Sequence, residues 1–161
     1  MGLQQTVPNK PWLCEDGTIV MFDPVHLIKN LRNLWYTDKM GELKFNDNGK
    51  DRIAKWELLR KTRETEKNNL VRLSDLTDVA TEPKPIERQR VETALKVFSE
   101  NTAAAIATNP QLTDTEDTVI FIRKVLKFWK IFNVRTEGLD RRFNNPAVES
   151  FSSDIENPPE C

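Results

Sequence analysis

The segment from Thr115 to Val134 constrains the fold of this chain more than any other stretch. Its apolar side chains recur at helical spacing in two neighbouring rows. The first row is Val119, Ile122, Leu126 and Trp129, and the second is Phe121, Val125, Phe128 and Phe132. A helix that is apolar over so much of its circumference is usually central to a bundle, so we interpret its aromatic residues as core. Asp114 or Thr115 can cap this helix at its start. A long central helix of this kind predicts a mainly α-helical fold.

A second long helix is predicted from Ile86 to Thr108. Pro85 suits its start, and Asn109-Pro110 ends it. Its apolar stripe is Val91, Ala94, Leu95, Phe98, Thr102 and Ala105. The two long helices are therefore expected to lie side by side and to carry the core.

Shorter elements are predicted before these helices. Residues 42–45 indicate a weak strand, and the Asn-Asp-Asn-Gly sequence at 46–49 is typical of a turn. A further helix is expected from about Asp51, and its polar later half, residues 61–67, is expected to run along the surface. Residues 1–17 contain prolines and few periodic apolar positions, so they are expected to be irregular.

A strand that leads into a helix is predicted nearer the start of the chain. Residues 18–22 are apolar and β-branched, which is typical of a short buried strand. Asp23 can then cap a helix that begins at Pro24. The predicted apolar stripe of this helix is Val25, Leu27, Ile28, Leu31, Leu34 and Trp35. The opposite face carries His26, Lys29, Asn30 and Asn33, with Arg32 beside Lys29, and this basic, amide-rich face suits one wall of an anion site.

Composition limits the classes of function. The chain has 161 residues, about one domain, and its net charge of −1 argues against a basic nucleic-acid-binding domain. Cys14, Cys161 and a single histidine offer no metal-ligand spacing, so no metal site is predicted. No apolar run approaches the length of a membrane span, and the start of the chain lacks the pattern of a secretory signal. We therefore expect an intracellular protein, nuclear or cytoplasmic, with no membrane association.

No common catalytic motif is present. The five glycines form neither a phosphate-binding P-loop nor a dinucleotide-binding turn, which excludes an ordinary P-loop GTPase. One histidine and two distant cysteines cannot supply a nucleophile with its base. Asp23 ends a predicted buried strand, where a metal-binding acid is sometimes found, but we interpret it as a helix cap. No catalytic residue is assigned.

Three segments resemble one protein family, in the same order and spacing. Asp23-Pro-Val-His26-Leu-Ile-Lys29-Asn-Leu-Arg32-Asn33 resembles the D-P-x-H-L-I-K-x-x-R-N signature of P-element-like (THAP-type) transposases. Residues 90–103 resemble the family's K-V-x-x-A-x-x-x-[LF]-S-x-x-V-A segment. Residues 118–122 and 128–135 resemble its T-x-x-F-I … L-F-D-I-L-N-S-R segment. The resemblance covers roughly residues 22–146.

The resemblance implies a division of the chain. Residues 1–37 would be the C-terminal piece of a ribonuclease-H-like core, a short strand-helix remnant of that fold. Residues 38–146 would be a helical insertion domain that holds GTP, a cofactor for assembly of the protein–DNA complex in this family. Residues 147–161 are acidic and contain Ser and Pro, so we expect a disordered tail.

The resemblance also implies nucleotide contacts. Val91 and Ser99 match family positions at the GTP site, and Arg90 preserves the positive charge of a lysine. On one continuous helix, Val91 and Ser99 would be about two turns apart and would share a flank. Lys130 and Asn133 occupy the positions of the family's Asp and Asn near the guanine edge.

Two of the matched positions change the chemistry of the site. Asp75 aligns with a lysine that would reach phosphate, so an attractive charge becomes repulsive. Lys130 replaces an aspartate, and an ammonium group has only donors, so it cannot accept the two donors of guanine. The lost complementarity is on the order of a few kcal/mol. The sequence therefore predicts that tight, guanine-selective binding is weakened.

The resemblance implies no independent catalysis by this chain. The family cleaves and joins DNA with three carboxylates that hold two divalent metals. The first two acids lie upstream of the Asp23 signature and the third lies beyond the insertion, so the triad is incomplete here and Mg²⁺ belongs only to a complete transposase. The zinc-binding THAP finger is missing as well. We expect a fragment or domesticated remnant.

Two other functions remain open on the sequence. A helical bundle with a polar helix at residues 60–68 and an acidic tail could be a protein-interaction scaffold without a nucleotide, and a homo-oligomer fits either reading. Direct DNA binding through Lys29, Arg32 and Arg90 is opposed by the net charge of −1, so DNA contact is expected only within a larger transposase.

Overall fold

The computed structural model describes residues 6–7, 10–14, 23–67 and 69–132. The predicted mainly α-helical fold is confirmed. The elements in chain order are β1 (Thr6–Val7), β2 (Lys10–Cys14), α1 (Pro24–Thr37), β3 (Glu42–Asp47), β4 (Lys50–Lys55), α2 (Trp56–Lys67), α3 (Asp78–Thr81), a 3-10 turn (Glu87–Gln89), α4 (Val91–Val97), α5 (Glu100–Thr108) and α6 (Glu116–Phe132). No helix of the described residues is long and apolar enough to cross a membrane.

The first strands form a small antiparallel hairpin. Thr6 in β1 lies opposite Cys14 in β2, with an irregular register between Thr6 and Val7. The prediction that residues 1–17 are irregular is therefore wrong for these strands. Pro11 lies within β2, and a sheet of two strands tolerates proline because each strand has a free edge. The strand predicted at residues 18–22 lies outside the described residues.

The second hairpin joins β3 to β4 through the predicted Asn-Gly turn. Asn48 and Gly49 have φ values of 53° and 85°, the left-handed conformation that a tight hairpin turn requires. The turn sends residues 50–55 back along β3, so the prediction of a helix from about Asp51 is wrong. Cross-strand pairing outweighs the helical spacing of the apolar residues there, and α2 begins only at Trp56.

Two tryptophans join the hairpin and the helices in one core. Trp35 of α1 and Trp56 of α2 are both 0% exposed, and their rings meet edge-on with centroids 5.0 Å apart. The Trp35 indole N–H donates to the carbonyl of Ala54 at 3.1 Å. Phe98 and Phe121 pack on the other sides of Trp35. The buried part of α6 ends at Val125, because Phe128 and Trp129 are only partly buried.

The helix predicted over residues 86–108 is broken, and that prediction is wrong. The chain forms the 3-10 turn, then α4, and then α5 after a break at Phe98-Ser99. The Ser99 hydroxyl accepts a hydrogen bond from the backbone N–H of Thr102 at 3.1 Å, which caps α5. The Thr102 hydroxyl donates to the carbonyl of Lys96 at 2.8 Å. Two hydroxyl groups therefore satisfy backbone groups that the break leaves without helical partners.

The polar half of α2 buries one face, so the predicted surface position is wrong for that face and correct for Lys61, Glu64 and Lys67, which are exposed. Thr62, Arg63 and Glu66 are 1%, 7% and 5% exposed. Arg63 pairs with Asp78 at 3.0 Å, and Glu66 accepts hydrogen bonds from the backbone N–H groups of the loop at residues 73–74. Tertiary partners have replaced water around these side chains, which a helical pattern alone cannot reveal.

Candidate nucleotide-binding site

The signature helix α1 begins with the predicted cap. The Asp23 carboxylate accepts a hydrogen bond from the Val25 backbone N–H at 2.8 Å, and Pro24 occupies the first turn. The other carboxylate oxygen lies 2.5 Å from Nδ1 of His26. These two interactions, that of His26 foremost, hold the pKa of Asp23 below its ordinary value. Asp23 is exposed and acts locally as a cap, which confirms that interpretation.

The buried line of α1 differs from the predicted stripe. Ile28, Arg32 and Trp35 are its buried residues, whereas Leu27 is 38% and Leu34 is 64% exposed. Placing Arg32 on the polar face beside Lys29 is therefore wrong. The interior of this domain presents a backbone carbonyl to α1 at that position, and a guanidinium can bond to it where leucine cannot.

Arg32 and Asn33 both reach the 3-10 turn. Nη2 of Arg32 donates to the carbonyl of Arg88 at 2.9 Å, and Nδ2 of Asn33 lies 3.5 Å from the same oxygen. Burial, together with the positive charge of Arg88, lowers the pKa of Arg32. The Arg88 guanidinium lies over the ring of Tyr36, 4.8 Å from its centroid. The helix and the turn are thus tied together through one carbonyl oxygen.

Positive charge accumulates around this junction. Arg90 is exposed just before α4, and Lys29 is partly buried on α1. Within the described residues, no carboxylate forms an ion pair with Lys29, Arg32, Arg88 or Arg90. We call these four residues the junction cluster. Unneutralised cations that lie close together favour an anionic ligand.

Five residues match the family's nucleotide contacts: Arg90, Val91, Ser99, Lys130 and Asn133. We call them the carried-over positions, and those that the structure describes lie on separate elements. Val91 opens α4 and packs partly against the core, while Ser99 caps α5. Because the helix breaks between them, the two-turn spacing that was expected to place them on one flank does not apply. Their assignment to a nucleotide site stays a prediction.

Asp75 lies beside the start of α5. Its Oδ1 accepts a hydrogen bond from Nδ2 of Asn101 at 3.1 Å. A negative charge therefore already lies next to the helix end that would otherwise favour a phosphate group. That Asp75 opposes a phosphate group stays a prediction.

The end of α6 carries the last carried-over positions. Trp129 packs partly against the same core as Val91, and Lys130 is exposed in the last described turn. Asn133 and the tail at residues 147–161 lie outside the described residues. Among the residues that the structure describes, no group of three acidic, histidine or cysteine side chains could hold a metal ion.

A comparison with models of protein families identifies the family of the chain. The family model described as "TNP-like, GTP-binding insertion domain" matches residues 25–146. The chain belongs to this family. No curated protein and no solved structure gives a significant match. The insertion domain alone is not a catalytic domain, so no enzymatic activity is assigned to it.

The insertion domain also has a large groove that the sequence did not indicate. It lies between α1, β3 and α6 and has a volume of about 820 Å³. Its walls are mainly apolar, with amide groups at Asn30, Asn33 and Asn46. None of the four described residues matched to the family's nucleotide contacts lines it: Arg90, Val91, Ser99 and Lys130. Sequence reasoning missed the groove because it arises where three elements distant in the chain meet.

Proposed function

We propose that this insertion domain binds GTP beside the start of α4 and the end of α6, and that it supports protein–DNA assembly within a larger P-element-like transposase. The observation that carries the proposal is the family match over residues 25–146. On this proposal Arg90 contacts phosphate, while Val91, Ser99, Lys130 and Asn133 lie around the rest of the nucleotide. Mg²⁺ and the catalytic carboxylates belong to the complete transposase.

The junction cluster supports the proposed location. Arg88 and Arg90 belong to the segment that leads into α4, Arg32 bonds to that segment, and a triphosphate would supply the negative charge that no described ion pair gives them. Hydrogen bonds between a guanidinium and a phosphate are charge-assisted and strong. The start of α5 is a poor place for the phosphates, because Asp75 and Glu100 lie there.

The proposed affinity is moderate and the preference for guanine is small. The ammonium group of Lys130 cannot accept the two donors of the guanine edge. We expect GTP and ATP to bind within about tenfold of each other, because the acceptor that would favour guanine by on the order of a few kcal/mol is lost.

Isothermal titration with GTP, GDP and ATP tests this proposal. Arg90→Gln should weaken GTP binding by about tenfold, because it removes one charge-assisted contact. Arg72→Gln is the matched control, since Arg72 is also an exposed arginine and is not one of the residues matched to the family's nucleotide contacts. Lys130→Asp should raise the preference for GTP over ATP. No saturable heat at millimolar nucleotide would refute nucleotide binding.

One observation favours a second function, a helical protein-interaction scaffold that ignores nucleotide. The apolar groove and the exposed Leu34 offer surface to another protein or to a second copy of the chain. Sedimentation with and without GTP separates the two functions. Self-association that is equal in both conditions, without nucleotide binding, would support the scaffold.

A further inference from the structure

Arg32 is an unusual buried residue. Its side chain is 0% exposed, yet Nε and Nη1 have no hydrogen-bond partner, and Nη2 has one, the carbonyl of Arg88. A charged group that is buried without an opposite charge costs stability. An apolar side chain of similar volume would cost less. The position of Arg32 is therefore explained better by the bond that it makes than by packing alone.

The bond fixes a segment that α1 also contacts through the Asn33 amide and the Tyr36 ring. Glu87, Arg88 and Gln89 form the 3-10 turn, and none of them is buried. The hydrogen bonds of the turn are short-range, such as that from the Arg90 N–H to the carbonyl of Glu87 at 3.1 Å. The bond from Arg32 instead spans 56 residues and joins the turn to the buried side of α1.

The segment held in this way is the one that leads to the proposed nucleotide contacts. Arg90 follows the turn directly, and Val91 begins α4. Asn33, the neighbour of Arg32, also points its amide at the Arg88 carbonyl. Two successive residues of α1 therefore converge on the oxygen that sets the path of the chain into α4.

We propose that Arg32 is a positioning residue for nucleotide binding, acting through the Arg88 carbonyl to fix the orientation of Arg90 and Val91. This inference rests on the proposed GTP function. The proposed role also couples nucleotide binding to the Arg32 hydrogen bond. A triphosphate near Arg88 and Arg90 offsets the repulsion between the guanidinium groups of Arg32 and Arg88, so the nucleotide and the Arg32 bond stabilise each other.

Two measurements on Arg32→Met and Arg32→Lys test the role. Amide hydrogen exchange in the absence of nucleotide measures the order of this segment at N–H groups that donate within it, those of residue 90 and residues 95–97, and titration measures GTP affinity. Arg32→Met should speed exchange at residues 90 and 95–97 and weaken GTP binding, each by about tenfold, since a hydrogen bond from a charged donor is lost. Arg32→Lys should fall between Met and the natural chain, because an ammonium group keeps the charge but not the reach of the guanidinium fork.

Arg63→Met is the matched control. Arg63 is also buried and also has an unpartnered nitrogen, but it lies on α2 and bonds to Asp78. It should lower the melting temperature without changing GTP affinity or exchange at residues 90 and 95–97. If Arg32→Met does not fold, Arg32→Lys decides the question.

The outcomes separate the two proposals. Absence of GTP binding by the natural chain refutes the proposed function. Unchanged exchange at residues 90 and 95–97 in a folded Arg32 variant refutes the positioning role, whether or not GTP binds. A fall in melting temperature with GTP affinity unchanged would mean that Arg32 is only structural and would likewise overturn the inference.

Discussion

Glu66 offers a sharp test of how the loop that carries Asp75 is held. The carboxylate lies in the last turn of α2 and is 5% exposed. Its Oε1 accepts hydrogen bonds from the backbone N–H groups of Leu73 at 3.0 Å and Ser74 at 2.9 Å. Its Oε2 accepts a third from the Ser74 hydroxyl. Since Leu73 is itself 63% exposed, this one carboxylate anchors an otherwise open loop.

The expected loss in the free energy of unfolding depends on which hydrogen bonds each substitution removes. Glu66→Ala removes all three, and since the loop is partly open, water can recover some of the loss, so we expect a cost of about 2–4 kcal/mol. Glu66→Gln can keep its oxygen towards the two N–H groups and turn its amide towards the Ser74 hydroxyl, which then accepts. Only the charge is lost in that case, at a cost of about 1 kcal/mol.

Urea unfolding measures both variants, and amide exchange at Leu73 and Ser74 locates the effect. Glu64→Ala is the control, because the side chain of Glu64 is 72% exposed in the same helix. Its effect should stay within about 0.5 kcal/mol of zero. If Glu66→Ala and Glu64→Ala cost the same, or if Glu66→Gln costs as much as Glu66→Ala, the reasoning about the anchor is wrong.

Two further predictions concern helix starts. The hydrogen bond from Arg52, and after it the bond from the Ile53 N–H, lowers the pKa of Asp117 below its ordinary value of 3.8. The stability that Asp117 contributes is therefore complete above pH 3.8, and it is lost as the pH falls through the lowered pKa. Asp117→Asn should reduce the fall in the free energy of unfolding at acid pH, and an unchanged fall would contradict this. Ser99→Ala should cost about 1 kcal/mol in urea unfolding because the Thr102 N–H loses its cap, and a neutral effect would count against the cap.

The features that the sequence predicted correctly depend on neighbouring residues. Asp23-Pro24 marks the start of α1, and the Asn48-Gly49 pair marks the hairpin turn, because capping and positive φ are decided within a few positions. The apolar rows of α6 likewise predicted its described extent. Family membership was predicted from short motifs and is confirmed by the match over residues 25–146.

The features that sequence reasoning missed depend on residues that are distant in the chain. Arg32 looked like a surface cation because the carbonyl that receives it is 56 residues away. Glu66 looked solvated because the N–H groups that it binds belong to a loop that must first fold back. Ser99 carried a local signal, its capping hydroxyl, but the continuous apolar stripe on both sides concealed the helix break.

The edge-on meeting of Trp35 and Trp56 has a spectroscopic consequence. Two indole rings this close, at 5.0 Å, couple their electronic transitions and should give a paired circular-dichroism band that separate indoles lack. The band should disappear when the signature helix, which carries Trp35, separates from the start of α2, which carries Trp56. The domain thus contains an optical reporter of whether that helix is seated, readable without a label when nucleotide or DNA is added.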